Sequence, residues 1–207
     1  DGVSYKITRA ELDAYLDAGY KIDNSLRFNA GDGAYLSRTP PSVGNRQIFT
    51  WSGWVKRGTL SSSKSQNLIS AGTADLGRTI LYFDSNDRII FTDANTDYYG
   101  TVTTAQFRDP SAWYHIVASV DSTQATVANR VKIYVNGVQE TSTTPYSSGY
   151  LRINTVTRIN STNPHAVGSN PQYNLINYFD GYMSEVNFID GQALEPTYFG
   201  KTNDDGV

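Results

Sequence analysis

The chain has 207 residues, 39% of them hydrophobic and only 18% charged, and Ser, Thr, Asn, Gly and Tyr fill the difference. That is the composition of a β-rich protein and not of a helical bundle. A net charge of −3 with no basic stripe excludes nucleic acid as a partner, and the absence of cysteine excludes disulfides and thiolate metal sites. The length suits one large β domain that buries its own core. No stretch approaches the ~18 apolar residues of a bilayer span, so no membrane insertion is expected. The chain opens on Asp1-Gly2-Val3 without an initiator Met, so the lack of a leader carries no weight.

The first predicted element is a short amphipathic helix over 9–18. Thr8 and Glu11 have capping-box spacing, Leu12, Tyr15 and Leu16 share one face, and Gly19 stands at the left-handed cap. A helix this short needs a surface to dock on. Strand patterns follow at 26–29 and 34–36 around the turn Gly31-Asp32-Gly33. A long strand over 47–56 puts Phe49, Trp51 and Val55 on one face and Ile48 and Trp54 on the other. Strands over 67–71, 80–83 and 88–92 come next, with a hairpin turn at Ser85-Asn86-Asp87. Another runs over 113–120. A strand over 131–135 meets Asn136-Gly137, a strong hairpin signal, and returns over 138–140. Residues 141–174 are polar, with short strands expected near 158–159 and 166–167. The final strand spans 178–189, where Tyr182, Ser184, Val186 and Phe188 alternate with Met183, Glu185 and Asn187, and a turn over 194–199 follows. Many short strands with frequent turn signals predict an all-β sandwich.

Several of these segments resemble one known family. Ser25-Leu26-Arg27-Phe28-Asn29 with Ala34-Tyr35-Leu36 is similar to its opening hairpin. Thr50-Trp51-Ser52-Gly53-Trp54-Val55-Lys56 is similar to its core strand. Trp113-Tyr114-His115-Ile116-Val117 and Lys132-Ile133-Tyr134-Val135-Asn136-Gly137 are similar to its central strands. Phe179-Asp180-Gly181-Tyr182-Met183-Ser184-Glu185-Val186 is similar to its closing strand. The family is the concanavalin A-like, laminin-G-like jelly roll. The resemblance implies a two-sheet antiparallel jelly-roll sandwich over 25–200. A helical segment over 1–24 precedes it and a tail over 201–207 follows. Arg38-Thr39-Pro40 with Gly44-Asn45-Arg46, and Asn187-Phe188-Ile189-Asp190-Gly191-Gln192-Ala193-Leu194, further resemble marine phage structural and tail-fibre proteins. A chain without cysteine also fits assembly in a reducing cytosol.

Glucanases of this superfamily carry Glu-x-Asp-x-x-Glu on one strand, so that alternation aims the carboxylates into one groove. Here the Glu-x-Asp pair is Glu11 and Asp13, in the predicted helix, with no third Glu. Asp180 and Glu185 are an odd number of residues apart, which an uninterrupted strand points to opposite faces. No catalytic residue is assigned, and His115 reads as a satisfied sheet histidine. No metal is assigned either. Asp93 and Asp97 alternate with other oxygen side chains as in calcium loops, but Tyr98 and Thr104 stand where such a loop needs Gly and Glu. A polar turn is the plainer reading. Asp93, Asp97, Asp32 and Asp180 therefore remain calcium candidates only.

Aromatic residues are the stronger signal. Tyr98, Tyr99, Tyr146, Tyr150 and Tyr173 fall in or beside polar loops, where a ring face and a hydroxyl suit sugar stacking or a protein contact. The expectation is a non-catalytic module of a virion fibre, spike or decoration protein. Its partners would be a surface glycan or another virion protein, and Leu12, Tyr15 and Leu16 would form the contact of a homo-oligomer. The alternatives are a structural capsid or fibre component without ligand, and a polysaccharide-degrading enzyme. The expected location is the virion surface, with a secreted or cell-surface setting as the alternative.

Overall fold

Period-2 alternation gives each strand one apolar face, and two antiparallel sheets bring those faces together. The computed structural model describes residues 24–60, 64–73, 77–94, 97–170 and 177–200. In chain order the strands are β1 (Leu26–Phe28), β2 (Leu36–Arg38), β3 (Ile48–Arg57), β4 (Gln66–Thr73), β5 (Gly77–Phe83), β6 (Ile89–Ala94) and β7 (Tyr98–Thr103). Then come β8 (Tyr114–Asp121), β9 (Val131–Val135), β10 (Val138–Gln139), β11 (Thr143–Pro145), β12 (His165–Val167) and β13 (Gly181–Asp190). One sheet has six strands in the order β1-β13-β3-β8-β9-β10, and the other has seven in the order β11-β7-β6-β5-β4-β12-β2. This is the expected all-β sandwich. Among the described residues the helices are short 3-10 turns. The predicted helix over 9–18, with Leu12, Tyr15 and Leu16, lies outside the described residues.

The core is built by the positions that alternation assigned to it. Phe49, Trp51 and Val55 of β3, with Ile116, Ala118 and Val120 of β8, face Leu68, Leu81, Phe83, Ile89 and Phe91 of the other sheet. Each large side chain buried in this way contributes roughly 1.5–3 kcal/mol. One end of the sandwich holds a buried charge. The Arg57 guanidinium donates to Asp87 at 2.8 Å, to Gln66 at 3.1 Å and to the Phe107 carbonyl at 2.9 Å. It also lies 4.5 Å from the centroid of the Phe83 ring. Pairing is what makes a fully buried guanidinium tolerable there.

Both predicted tight turns form. Asn136 and Gly137 adopt positive φ values of 50° and 80°, as a two-residue hairpin turn requires, and join β9 to β10. Asp87, at φ 63°, closes the turn between β5 and β6, where the Asp84 amide donates to the Arg88 carbonyl at 2.9 Å.

Four local expectations are corrected. Strands β1 and β2 do not pair with each other; β1 pairs with β13 and β2 with β12, at the edges of different sheets. The 3-10 turn at Ala30–Asp32, capped by Asn29, carries the chain across the sandwich instead of reversing it. Tyr98 and Tyr99 open a strand, β7, where none was expected between 92 and 113, because Thr101, Val102 and Thr103 continue a β-favouring run past Gly100. Residues 158–159 form no strand; the Arg158 amide donates to the Thr79 hydroxyl at 2.7 Å, so no ladder partner is needed. The alternation of β13 breaks at a register shift between Ser184 and Asn187, where Glu185 has φ 47°. The shift places Phe188 opposite Trp51, with its ring 5.6 Å from that of Phe49.

Candidate ligand-binding groove

The two sheets treat their outer faces differently. The outer face of the six-stranded sheet is covered along β3 and β8 by the segment after β13. The Thr50 hydroxyl donates to the Gln192 carbonyl at 2.7 Å and accepts from the Leu194 amide at 2.8 Å. Beyond it, the His115 ring lies 5.0 Å from Trp54 and 6.4 Å from Phe199, with the Ser52 hydroxyl 3.0 Å from Nε2. Burial pushes His115 below its ordinary pKa and keeps the imidazole neutral. His115 is thus the satisfied sheet histidine that its position implied.

The outer face of the seven-stranded sheet carries a groove of about 310 Å³, lined by Ser65, Asn67, Arg78, Ile80, Tyr82, Thr92, Tyr98, Tyr146, Asn170 and Asn177. Alternation explains the set. Arg78, Ile80 and Tyr82 are every second residue of β5; Thr92 pairs with Ile80 from β6, and Asn67 pairs with Tyr82 from β4. Between Tyr98 and Val102 the strand carries Gly100. A Cβ there would collide with the Phe91 carbonyl oxygen and sit 2.9 Å from Thr92 Cα, so only glycine lets β7 approach β6 this closely.

One wall is the turn after β11. The Tyr146 amide donates to the Gly100 carbonyl at 3.1 Å, the Ser148 amide to the Tyr98 carbonyl at 2.9 Å, and the Gly149 amide to the Tyr146 carbonyl at 2.7 Å. Gly149, at φ 135°, supplies a backbone conformation that L-residues rarely adopt. This clamp sets the Tyr146 ring edge-on to Tyr98, with centroids 6.4 Å apart. The Tyr82 hydroxyl donates to that of Tyr146 at 3.1 Å. Burial, and then the bond to Tyr146, push Tyr82 well above the ordinary phenol range, so it stays a protonated donor. The Arg78 guanidinium lies 5.4 Å from the centroid of the Tyr98 ring.

The opposite wall is the chain after β12. The Ser70 hydroxyl donates to the Ser169 carbonyl at 2.7 Å, and the Asn67 amide to the Asn177 carbonyl at 3.2 Å. Asn67 is 1% exposed, yet its Nδ2 has no hydrogen-bond partner among the described residues. A buried donor without an acceptor costs about 1–3 kcal/mol.

The structure thus brings Tyr98 and Tyr146 together. Tyr99 points to the other side of β7, where the Arg152 guanidinium lies 4.1 Å from its ring centroid and its hydroxyl is 3.3 Å from Asp97. Tyr150 donates to the Thr143 carbonyl at 3.1 Å and is not among the groove residues. Tyr173 lies outside the described residues. Sequence reading missed Tyr82, Asn67 and Arg78, because each sits inside a strand and reads as packing. The available signal was the register that makes them neighbours, and one chain read alone does not show register.

The calcium candidates do not converge. Asp32 accepts from Asn29 at 2.6 Å, Asp180 pairs with Arg27 at 3.1 Å, and Asp97 meets Tyr99. Asp93 accepts from the Thr79 hydroxyl, and burial lifts its carboxyl above its ordinary value against the pull of Arg158 and Arg46. Among the described residues no group of three His, Cys, Asp or Glu could hold a metal. The six-stranded face also has a smaller depression of about 220 Å³ beside Asp121, Lys132 and Glu195. Asp121 is already tied to Thr123 at 2.6 Å and Gln124 at 2.6 Å, and among the described residues the depression lacks the paired edge-on rings and the orphan donor of the groove.

Residues 29–197 match the concanavalin A-like lectin/glucanases superfamily, and the chain belongs to that family. No curated protein matches it. Among solved structures, domain 4 of AbnA, a GH43 extracellular arabinanase from Geobacillus stearothermophilus in complex with arabinotriose, superposes with a TM-score of 0.55 at 19% identity, over 76% of this chain and 66% of that one. The CBM40 of the Ruminococcus gnavus IT-sialidase, bound to α2,6 sialyllactose, gives 0.52 at 14% identity over 84% of this chain and 95% of that one. Mouse laminin α1 chain domains LG4-5 give 0.53 at 11% identity over 79% and 40%. The chain thus spans just under two thirds of the arabinanase domain and less than half of the laminin pair. At these identities the likeness is one of fold.

Proposed function

We propose that this domain is a non-catalytic glycan-binding module and that the groove over β5, β6 and β7 is its site. The observation that carries the reading is the Asn67 side-chain Nδ2, without a partner among the described residues, in the same groove as the crossed rings of Tyr98 and Tyr146. Ring faces give a sugar its apolar contact, and buried amides fix its hydroxyls. Among the described residues the groove lining includes no carboxylate, so these residues supply neither the acid nor the nucleophile of a glycosidase. Arabinotriose in the arabinanase domain and sialyllactose in the sialidase module support the reading by analogy of fold. The proposed setting is a particle surface. It rests on the resemblance of Arg38-Thr39-Pro40 and of the 187–194 segment to phage structural proteins. There, repeated copies joined through residues 9–18 would turn weak single sites into avid binding.

A glycan array probed with the whole chain tests the reading. Selective binding that disappears in a Tyr98→Ala, Tyr146→Ala double variant with an unchanged circular dichroism spectrum is the expected result. A blank array from a folded protein overturns it in favour of a purely structural component.

A further inference from the structure

We propose that residues 9–18 dock on the open side of the sandwich between β13 and β2, and that exchange of this segment between neighbouring copies is what joins them; this rests on the particle-surface setting above and not on the groove. Strand alternation carries it. Leu26 shares the core face of β1 with Phe28 and stands opposite Met183, yet Leu26 is 47% exposed where those two are 2%. Leu36 of β2 stands opposite Val167, which packs against the core, and is 52% exposed. Past the bulge, Val186 faces Gly53, where a Cβ would lie 3.3 Å from Val186 Cγ2, and Phe188 stands opposite Trp51. These two are 39% and 37% exposed. The cause is uneven strand length. Strand β1 covers only Gly181, Tyr182 and Met183 of β13, so from Ser184 to Asp190 that edge has no ladder partner among the described residues. The two sheet edges lie on one side of the molecule, since the Phe28 ring of β1 rests on Gly168, just after β12, where a Cβ would sit 2.5 Å from Phe28 Cδ1. Four core-facing side chains are thus left partly in water on that side, a cost that a docked apolar face removes.

Position, pattern and charge name the occupant. Residue 24 is anchored on this side: the Asn24 carbonyl accepts from the Ser184 hydroxyl, where the partnerless edge of β13 starts. The chain before it carries, at Leu12, Tyr15 and Leu16, an apolar stripe on a predicted helix too short to hold without a surface. Residues 9–18 set Glu11, Asp13 and Asp17 against Arg9 alone. Arg38, on the same face of β2 as Leu36, is exposed and has no carboxylate partner among the described residues. An acidic segment thus meets a free guanidinium beside the apolar contact. Exchange between copies uses the same contacts as docking within one copy, with only the path of residues 19–23 changed. Copies held side by side on a particle raise the local concentration of the segment and favour the exchanged form.

The test is light scattering on two full-length variants, alone and mixed. Leu12→Asp with Leu16→Asp spoils the segment and keeps the flank; Leu36→Asp with Phe188→Asp spoils the flank and keeps the segment. The unmodified chain should associate as its concentration is raised, and each variant alone should associate about tenfold more weakly or worse. An equimolar mixture should recover a heterodimer, since one variant supplies the segment and the other the flank. Arg38→Glu should weaken association of the otherwise unmodified chain, and by less at high salt. If Phe188→Asp does not fold, Leu36→Asp alone, on a strand exposed throughout, takes its place. Variants that associate as well as the unmodified chain overturn the proposal. So does a mixture that stays monomeric, or an unmodified chain that is monomeric at every concentration. The glycan array reads the groove separately, and a monomer that still binds glycan leaves the groove as the site.

Discussion

The outer faces of the two sheets start from the same material and end differently. Each carries aromatic rings beside polar side chains: Trp54 and His115 on one, Tyr82, Tyr98 and Tyr146 on the other. On the six-stranded sheet the chain itself lies down on them, pinned at Thr50, and the polar atoms find partners within the protein. On the seven-stranded sheet the described chain builds two walls, and Asn67 Nδ2 has no partner among the described residues. The contrast teaches that aromatic rings on an outer sheet face do not mark a site by themselves.

Substitutions on the two faces should therefore divide stability from binding. The largest effect is expected at the groove floor. Gly100→Val drives a side chain into the Phe91 carbonyl and forces β7 off β6, and about 3 kcal/mol of destabilisation by urea titration is expected. A loss under about 1 kcal/mol would mean that the strands separate easily and that the groove is not a fixed shape. On the covered face, Thr50→Val removes both bonds to the segment after β13. It should cost about 2 kcal/mol while leaving glycan affinity unchanged. A drop in affinity would show that the faces are coupled.

The covered face should also answer to acid. His115 has a folded-state pKa below its ordinary 6.5, so the unfolded chain takes up the proton first. Its contribution to stability is complete above pH 6.5 and declines as pH falls from there toward the depressed folded value. His115→Gln should lose less melting temperature between pH 7 and pH 5 than the parent chain, and parallel curves would discard this account. The smallest stability change is expected at Asn67. Asn67→Ala deletes a donor that nothing in the described protein satisfies, so the ligand-free urea midpoint should move by less than about 1 kcal/mol equivalent while glycan binding is lost.

Much of the sandwich was legible in the sequence because alternation and turn chemistry are local. Phe49, Trp51 and Val55 sorted themselves onto the core face, and Asn136-Gly137 announced its hairpin. The pairing of β1 with β13 was not legible, since it joins residues far apart in sequence and no turn specifies it. The site was half legible. Tyr98 and Tyr146 stood out by composition. Asn67 and Arg78 gained meaning only once register set them on one face with those rings. The bulge at Glu185 defeated simple counting along β13 for the same reason: an inserted residue leaves no mark on the alternation until the partner strand is known.

Strand β13 lies between β1 and β3, not at an edge, although it is the last strand of the described chain. The six-stranded sheet is therefore completed by inserting a late segment between two early ones. As the polypeptide is synthesised, β3 can find β8 and then β9, but β1 has no partner until Gly181–Asp190 has emerged. Closure of this kind depends on contacts distant in sequence and is intrinsically slow. Until it happens, an unpaired flank of β3 is available to a neighbouring nascent chain, which makes the interval before β13 arrives the one in which this domain is most open to aggregation.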